Sequence, residues 1–107
     1  MTARVETYDL TYDGSHAAAQ LVQLPVDSEV VDAYLDPTGT VALTVFPVHS
    51  LTKTEQVVYL LGERDQPGAG ARFVRTVVDH TLGMVLHVFV APADEHTRRD
   101  VEHAARR

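Results

Sequence analysis

Residues 29–46, Glu-Val-Val-Asp-Ala-Tyr-Leu-Asp-Pro-Thr-Gly-Thr-Val-Ala-Leu-Thr-Val-Phe, decide the fold. Asp36, Pro37 with its fixed φ and Gly39 make a type I turn that ends in a left-handed glycine. Such a turn closes a three-residue hairpin loop with a bulge at Gly39. Pairing Asp36 with Thr40 then sets every other pair. Val31 faces Val45, Ala33 faces Leu43 and Leu35 faces Val41, all on one apolar side. The other side holds Val30 with Phe46, Asp32 with Thr44 and Tyr34 with Ala42. One buried face and one mixed face are what an antiparallel sheet on a single core requires.

Outward from this hairpin the chain reads as more strands. Residues 72–78 and 84–90 are β-branched and aromatic runs around a short turn near His80 to Gly83. With Thr81-Leu82 as the loop, His87 faces Thr76, flanked by Val85, Phe89, Val74 and Val78. Both faces are largely apolar, which predicts a central place in the sheet. Val5–Tyr12 alternates Tyr8, Leu10 and Tyr12 with Thr7, Asp9 and Thr11, a half-buried strand. Short strands are expected near Leu21–Leu24 and over Glu55–Gly62. Glu63–Ala71, with Gln66-Pro67-Gly68-Ala69-Gly70, is expected as a surface loop, and His49–Thr54 as a connection.

The valine-rich body stops at Ala91-Pro92. A polar tail follows, opening with Pro92, Asp94 and Glu95 and closing with Arg106-Arg107, the charge order that a helix dipole favours. Its apolar stripe is thin, Val101 with Ala104 and Ala105, so a helix here depends on docking. The organisation expected is a β domain over 1–91 and a helical appendix over 92–107.

Composition sets the limits. In 107 residues there is room for one domain. The absence of cysteine removes disulfides, thiolate zinc sites and thiol catalysis. No apolar run approaches the ~20 residues of a membrane helix. The N-terminal residues carry no apolar signal-peptide region, and the compartment expected is the cytoplasm. Valine occurs 17 times, isoleucine and asparagine not at all, and one lysine stands against eight arginines. The missing residues use AT-rich codons, so a GC-rich genome is expected. The net charge of −6 argues against a general nucleic-acid binder. All of it lies in residues 1–90, where 11 acids face 5 bases; residues 91–107 are balanced, with four of each.

Ordered short motifs run from Arg4 to Ala91. They are Tyr8-Asp9-Leu10, Gln23-Leu24-Pro25 before the Glu29–Leu35 strand, the Gly39 hairpin, Leu61-Gly62-Glu63, Phe73-Val74-Arg75-Thr76, Gly83 and His87-Val88-Phe89. In these the chain resembles a family of short uncharacterised proteins found mainly in tailed-phage and bacterial genomes. The block at Phe73, Thr76 and His87–Phe89 is the more specific part. Leu61-Gly62-Glu63 departs from the Gly-Thr-Gly-like turn of that family, and the 91–107 tail extends beyond its usual end. The resemblance implies a small β fold and a phage or prophage setting.

The chemistry-bearing residues were weighed one group at a time. A histidine on an apolar strand face needs a partner, and Thr76 opposite His87 supplies one. The plainer reading is a core histidine that holds register; the sharper one is ligand binding or pH sensing. His96 and His103 would lie ~10 Å apart on a helix, too far for one metal ion. Ser15, Ser28 and Ser50 sit in no Gly-x-Ser-x-Gly elbow, and Ser15-His16 or His49-Ser50 adjacency does not make a nucleophile and base. Gly68-Ala69-Gly70 beside Arg64 and Arg72 suggests an anion nest but lacks the Lys-Ser/Thr and helix of a P-loop. Arg98, Arg99, Arg106 and Arg107 are offset by neighbouring acids.

The expectation is an antiparallel β domain of five to seven strands, sandwich or half-barrel, with one C-terminal helix. The function expected is non-enzymatic protein binding, with no cofactor and no metal, as a phage accessory factor. Val30, Tyr34, Phe46, Arg98 and Val101 are the interface candidates. One alternative is a pocket that sequesters a small anion such as a nucleotide, with Arg64, Arg72, Arg75 and His87 as contacts. The other is a structural homo-oligomer formed through an edge strand or the C-terminal helix.

Overall fold

Seven strands and one helix follow one another along the chain. They are β1 (Arg4–Asp9), β2 (Ala18–Pro25), β3 (Glu29–Leu35), β4 (Val41–Val48), β5 (Lys53–Leu61), β6 (Arg72–Asp79), β7 (Met84–Pro92) and α1 (Glu95–Ala105). The structure is a computed structural model and describes residues 3–10, 18–80 and 83–105. Thr11-Tyr12 of the expected first strand, Ser15-His16, the Thr81-Leu82 loop and Arg106-Arg107 lie outside the described residues.

The hairpin around Gly39 forms as the turn residues dictate. Asp36 Oδ1 accepts from Thr38 N at 2.9 Å, Thr38 Oγ1 at 2.6 Å and Thr40 N at 3.0 Å. These bonds, the Thr38 hydroxyl foremost, hold the Asp36 carboxyl below its ordinary pKa. Gly39 has φ 86°, where a Cβ is disfavoured. Leu35↔Val41, Tyr34↔Ala42, Ala33↔Leu43 and Asp32↔Thr44 are the pairs the turn implies. Beyond Asp32 the register slips. A bulge sets Val30 opposite Val45 and Glu29 opposite Phe46, leaving Val31 outside the ladder. Val30 is 1% exposed and Val31 49%, the reverse of the continuous register.

The strands divide into two antiparallel sheets, ordered β1-β4-β3 and β2-β5-β7-β6. They stack as an open sandwich, not a half-barrel. Leu43, Val45, Val41, Val30 and Ala33 of the first sheet meet Val58, Leu60, Leu86, Val88 and Val90 of the second. A fully buried Val or Leu stabilises by about 1.5–3 kcal/mol relative to exposure, so this layer holds the molecule together. Thr76 does pair with His87, but the hairpin of β6 and β7 is not central throughout: β7 is interior and β6 is an edge strand. That edge lies along β3, where Arg72 donates to the Val30 carbonyl at 2.8 Å and Arg75 pairs with Asp32 at 3.1 Å.

Helix α1 forms a third layer. It starts at Glu95, after Pro92 has ended β7. Asp94 caps it: Thr97 N donates to Asp94 Oδ1 at 2.8 Å, and Asp94 N donates to Thr97 Oγ1 at 2.9 Å. The Thr97 amide is also the main reason the Asp94 carboxyl sits below its ordinary pKa. Val101 and Ala93 pack on a second buried cluster, Val57, Tyr59, Leu61 and Ala91, on the outer face of the four-stranded sheet. The helix therefore covers the β2 and β5 half of that face, and leaves the Tyr34 and Phe46 face of the other sheet open.

Candidate functional site

Alternation along β7 sends Leu86, Val88 and Val90 into the sandwich and turns Val85, His87 and Phe89 to the outer face. On β6 a bulge between Phe73 and Arg75 alters the simple alternation. It sets Phe73 opposite Phe89, where an unbroken register would have placed Val74, and Val74 packs against the inner core. The outer face of β6 and β7 thus carries three successive cross-strand rows: Phe73 with Phe89, Thr76 with His87, and Val78 with Val85.

The aromatic row is the anchor. Phe73 and Phe89 meet edge to face, with centroids 5.4 Å apart and planes at 67°. Phe73 is nevertheless 51% exposed, because α1 stands over β2 and β5 and stops short of β6. In the middle row Thr76 Oγ1 and His87 Nδ1 lie 2.9 Å apart and share one hydrogen bond in either tautomer of the ring. At ~3.4 Å per residue the rows span roughly 14 Å of strand. The strip is apolar at both ends and polar at its centre.

Beside it stands a wall made where strand, loop and helix converge. Tyr59 Oη donates to Asp100 Oδ2 at 2.6 Å and accepts from the Gly68 amide. Burial, then the Asp100 carboxylate, pushes the Tyr59 hydroxyl well above the usual phenol range, so it stays protonated and donating.

The expected interface residues are scattered across the fold. Val30 points into the core because of the β3 bulge, so it is not a surface residue. Tyr34 and Phe46 are exposed, but their rows, Tyr34 with Ala42 and Phe46 with Glu29, are separated by Asp32 and Thr44. Four residues of β4 lie from one to the other, ~13 Å, so they form no joint patch. Val101 is half-buried under α1, and Arg98 is held by Glu55 at 2.8 Å.

The proposed anion contacts do not converge either. Arg72 and Arg75 are engaged with β3 on the sandwich side of β6, whereas His87 lies on the outer face. Arg64 is exposed in the loop after β5. Among the described residues no three His, Asp or Glu side chains gather as a metal would need. No helix is long and apolar enough to cross a membrane. No known protein family, curated protein or solved structure matches this chain. The Phe73–Phe89 contact is the feature that sequence reasoning missed. The signal available for it was two phenylalanines whose expected registers differ by one residue.

Proposed function

We propose that this chain is a non-enzymatic binding protein that engages another protein through the outer face of β6 and β7. The observation that supports this is the exposed Phe73 ring, held rigid on Phe89 in a strip left uncovered by α1. Rigid, partly exposed aromatics on a sheet are the usual anchors of protein interfaces, and one such residue often carries more than ~2 kcal/mol of binding. The polar Thr76–His87 pair at the centre gives a partner one directional contact and so fixes its orientation. The resemblance to short phage and bacterial proteins supports a role as a phage accessory factor inside the bacterial cell.

The test is a comparison of two faces. A partner captured from host lysate is purified, and its affinity is measured by calorimetry for the wild type, Phe73→Ala and Tyr34→Ala. Loss of roughly 30-fold in affinity for Phe73→Ala, with Tyr34→Ala unchanged, is the expected result. Equal affinity for all three chains would sink the proposal.

A further inference from the structure

Four strands lie at sheet edges, and three of them are blunted against pairing. β1 is six residues long, bulges between Arg4 and Glu6, and points Glu6 toward the sandwich interior beside Tyr8. β3 carries Glu29 and Asp32, bulges at Val31, and has its Val30 carbonyl occupied by Arg72. β6 bulges between Phe73 and Arg75 and bears Arg72, Arg75 and Asp79. β2 has none of these devices. It is Ala-Ala-Gln-Leu-Val-Gln-Leu-Pro, eight residues without a charge, paired to β5 over its whole length with no register shift. Among the described residues no strand bonds to its other side.

We propose that β2 pairs antiparallel with β2 of a second copy of this chain, about a two-fold axis beside Leu21. The two four-stranded sheets then continue into one another. Charge selects the second copy. The net −6 makes most approaches between identical chains repulsive. β2 brings no charge to the seam, and α1 above it is closely balanced, with Glu95, Asp100 and Glu102 against Arg98 and Arg99. Register selects Leu21. A two-fold ladder must pair residues of like face, and centring on Leu21 places Leu21 on Leu21, Gln20 on Val22 and Ala19 on Gln23. Centring on Val22 instead would draw Pro25, which has no N–H, into the ladder. Leu21, 40% exposed in the single chain, is covered by its own copy.

Analytical ultracentrifugation of the full chain tests this. The wild type at on the order of 100 µM should sediment at twice 11.8 kDa. Leu21→Lys and Leu21→Glu should each sediment at 11.8 kDa with unchanged circular dichroism. Mixed one to one, they should regain the dimer, because Lys then faces Glu across the axis. If either variant fails to fold, Gln23→Lys and Gln23→Glu, at an exposed position of the same face, repeat the design. A wild type that stays monomeric to ~1 mM overturns the proposal. So does a dimer that survives the like-charge substitutions. In the monomeric case, rapidly exchanging β2 amides would assign the edge to an extended segment of another protein.

Discussion

Two glycines illustrate different demands on one residue type. Gly39 has open space around it and is required by its φ of 86°. Gly68 is required by its neighbours: a Cβ there would stand 2.7 Å from both Tyr59 Oη and Asp100 Oδ2. Gly68→Ala should therefore destabilise by about 1–3 kcal/mol, the range of core overpacking. In an Asp100→Ala background one of the two opposing oxygens is gone, so the cost of Gly68→Ala should fall measurably. Urea denaturation of the four chains gives the coupling. Equal costs in both backgrounds would show that the strain lies elsewhere. The demand on Gly39 was legible, since Asp-Pro-Thr-Gly names its own turn. The demand on Gly68 was not, because it comes from a strand and a helix distant in sequence.

At the scale of elements, what was readable and what was not meet at the bulges. From Asp32 through Val41 the turn and the alternation agree, and the observed pairs are the expected ones. At Glu29-Val30-Val31-Asp32 two adjacent valines serve either face equally well, so hydropathy cannot say which turns inward. The same ambiguity stands at Phe73-Val74, and it hid the aromatic row of the candidate site. In both places edge geometry decides: the two bulges lie on β3 and β6, the edge strands that pack along one another. Substitution separates the registers. Val30→Ala should cost about 1–3 kcal/mol by leaving a cavity between the sheets, and Val31→Ala should stay within about 0.5 kcal/mol of wild type. Thermal and urea unfolding check this, and a larger loss at Val31 would restore the unbroken register.

Across the whole molecule, the two buried clusters are unequal, and that inequality orders their stability. The inter-sheet cluster joins strands from both sheets, with Leu43, Val45, Val58, Leu60, Leu86 and Val88 all fully enclosed. The outer cluster is Val57, Tyr59, Leu61 and Ala91 under one helix whose own apolar contribution is chiefly Val101. Its remaining ties are polar: Tyr59 to Asp100, Gly68 to Tyr59, and the exposed Arg98–Glu55 pair. A layer held by few apolar contacts opens at lower free energy than the core beneath it. Tyr59→Phe keeps the ring in place and removes only the hydroxyl, leaving the Gly68 amide and the Asp100 carboxylate without that partner. The cost of about 1–3 kcal/mol should fall on the outer layer alone. In native-state hydrogen exchange, amides of α1 should then exchange roughly 5- to 150-fold faster, while those of Leu43 and Val88 keep their wild-type rates. Uniform acceleration through both layers would instead mean that α1 and the sandwich open as one unit.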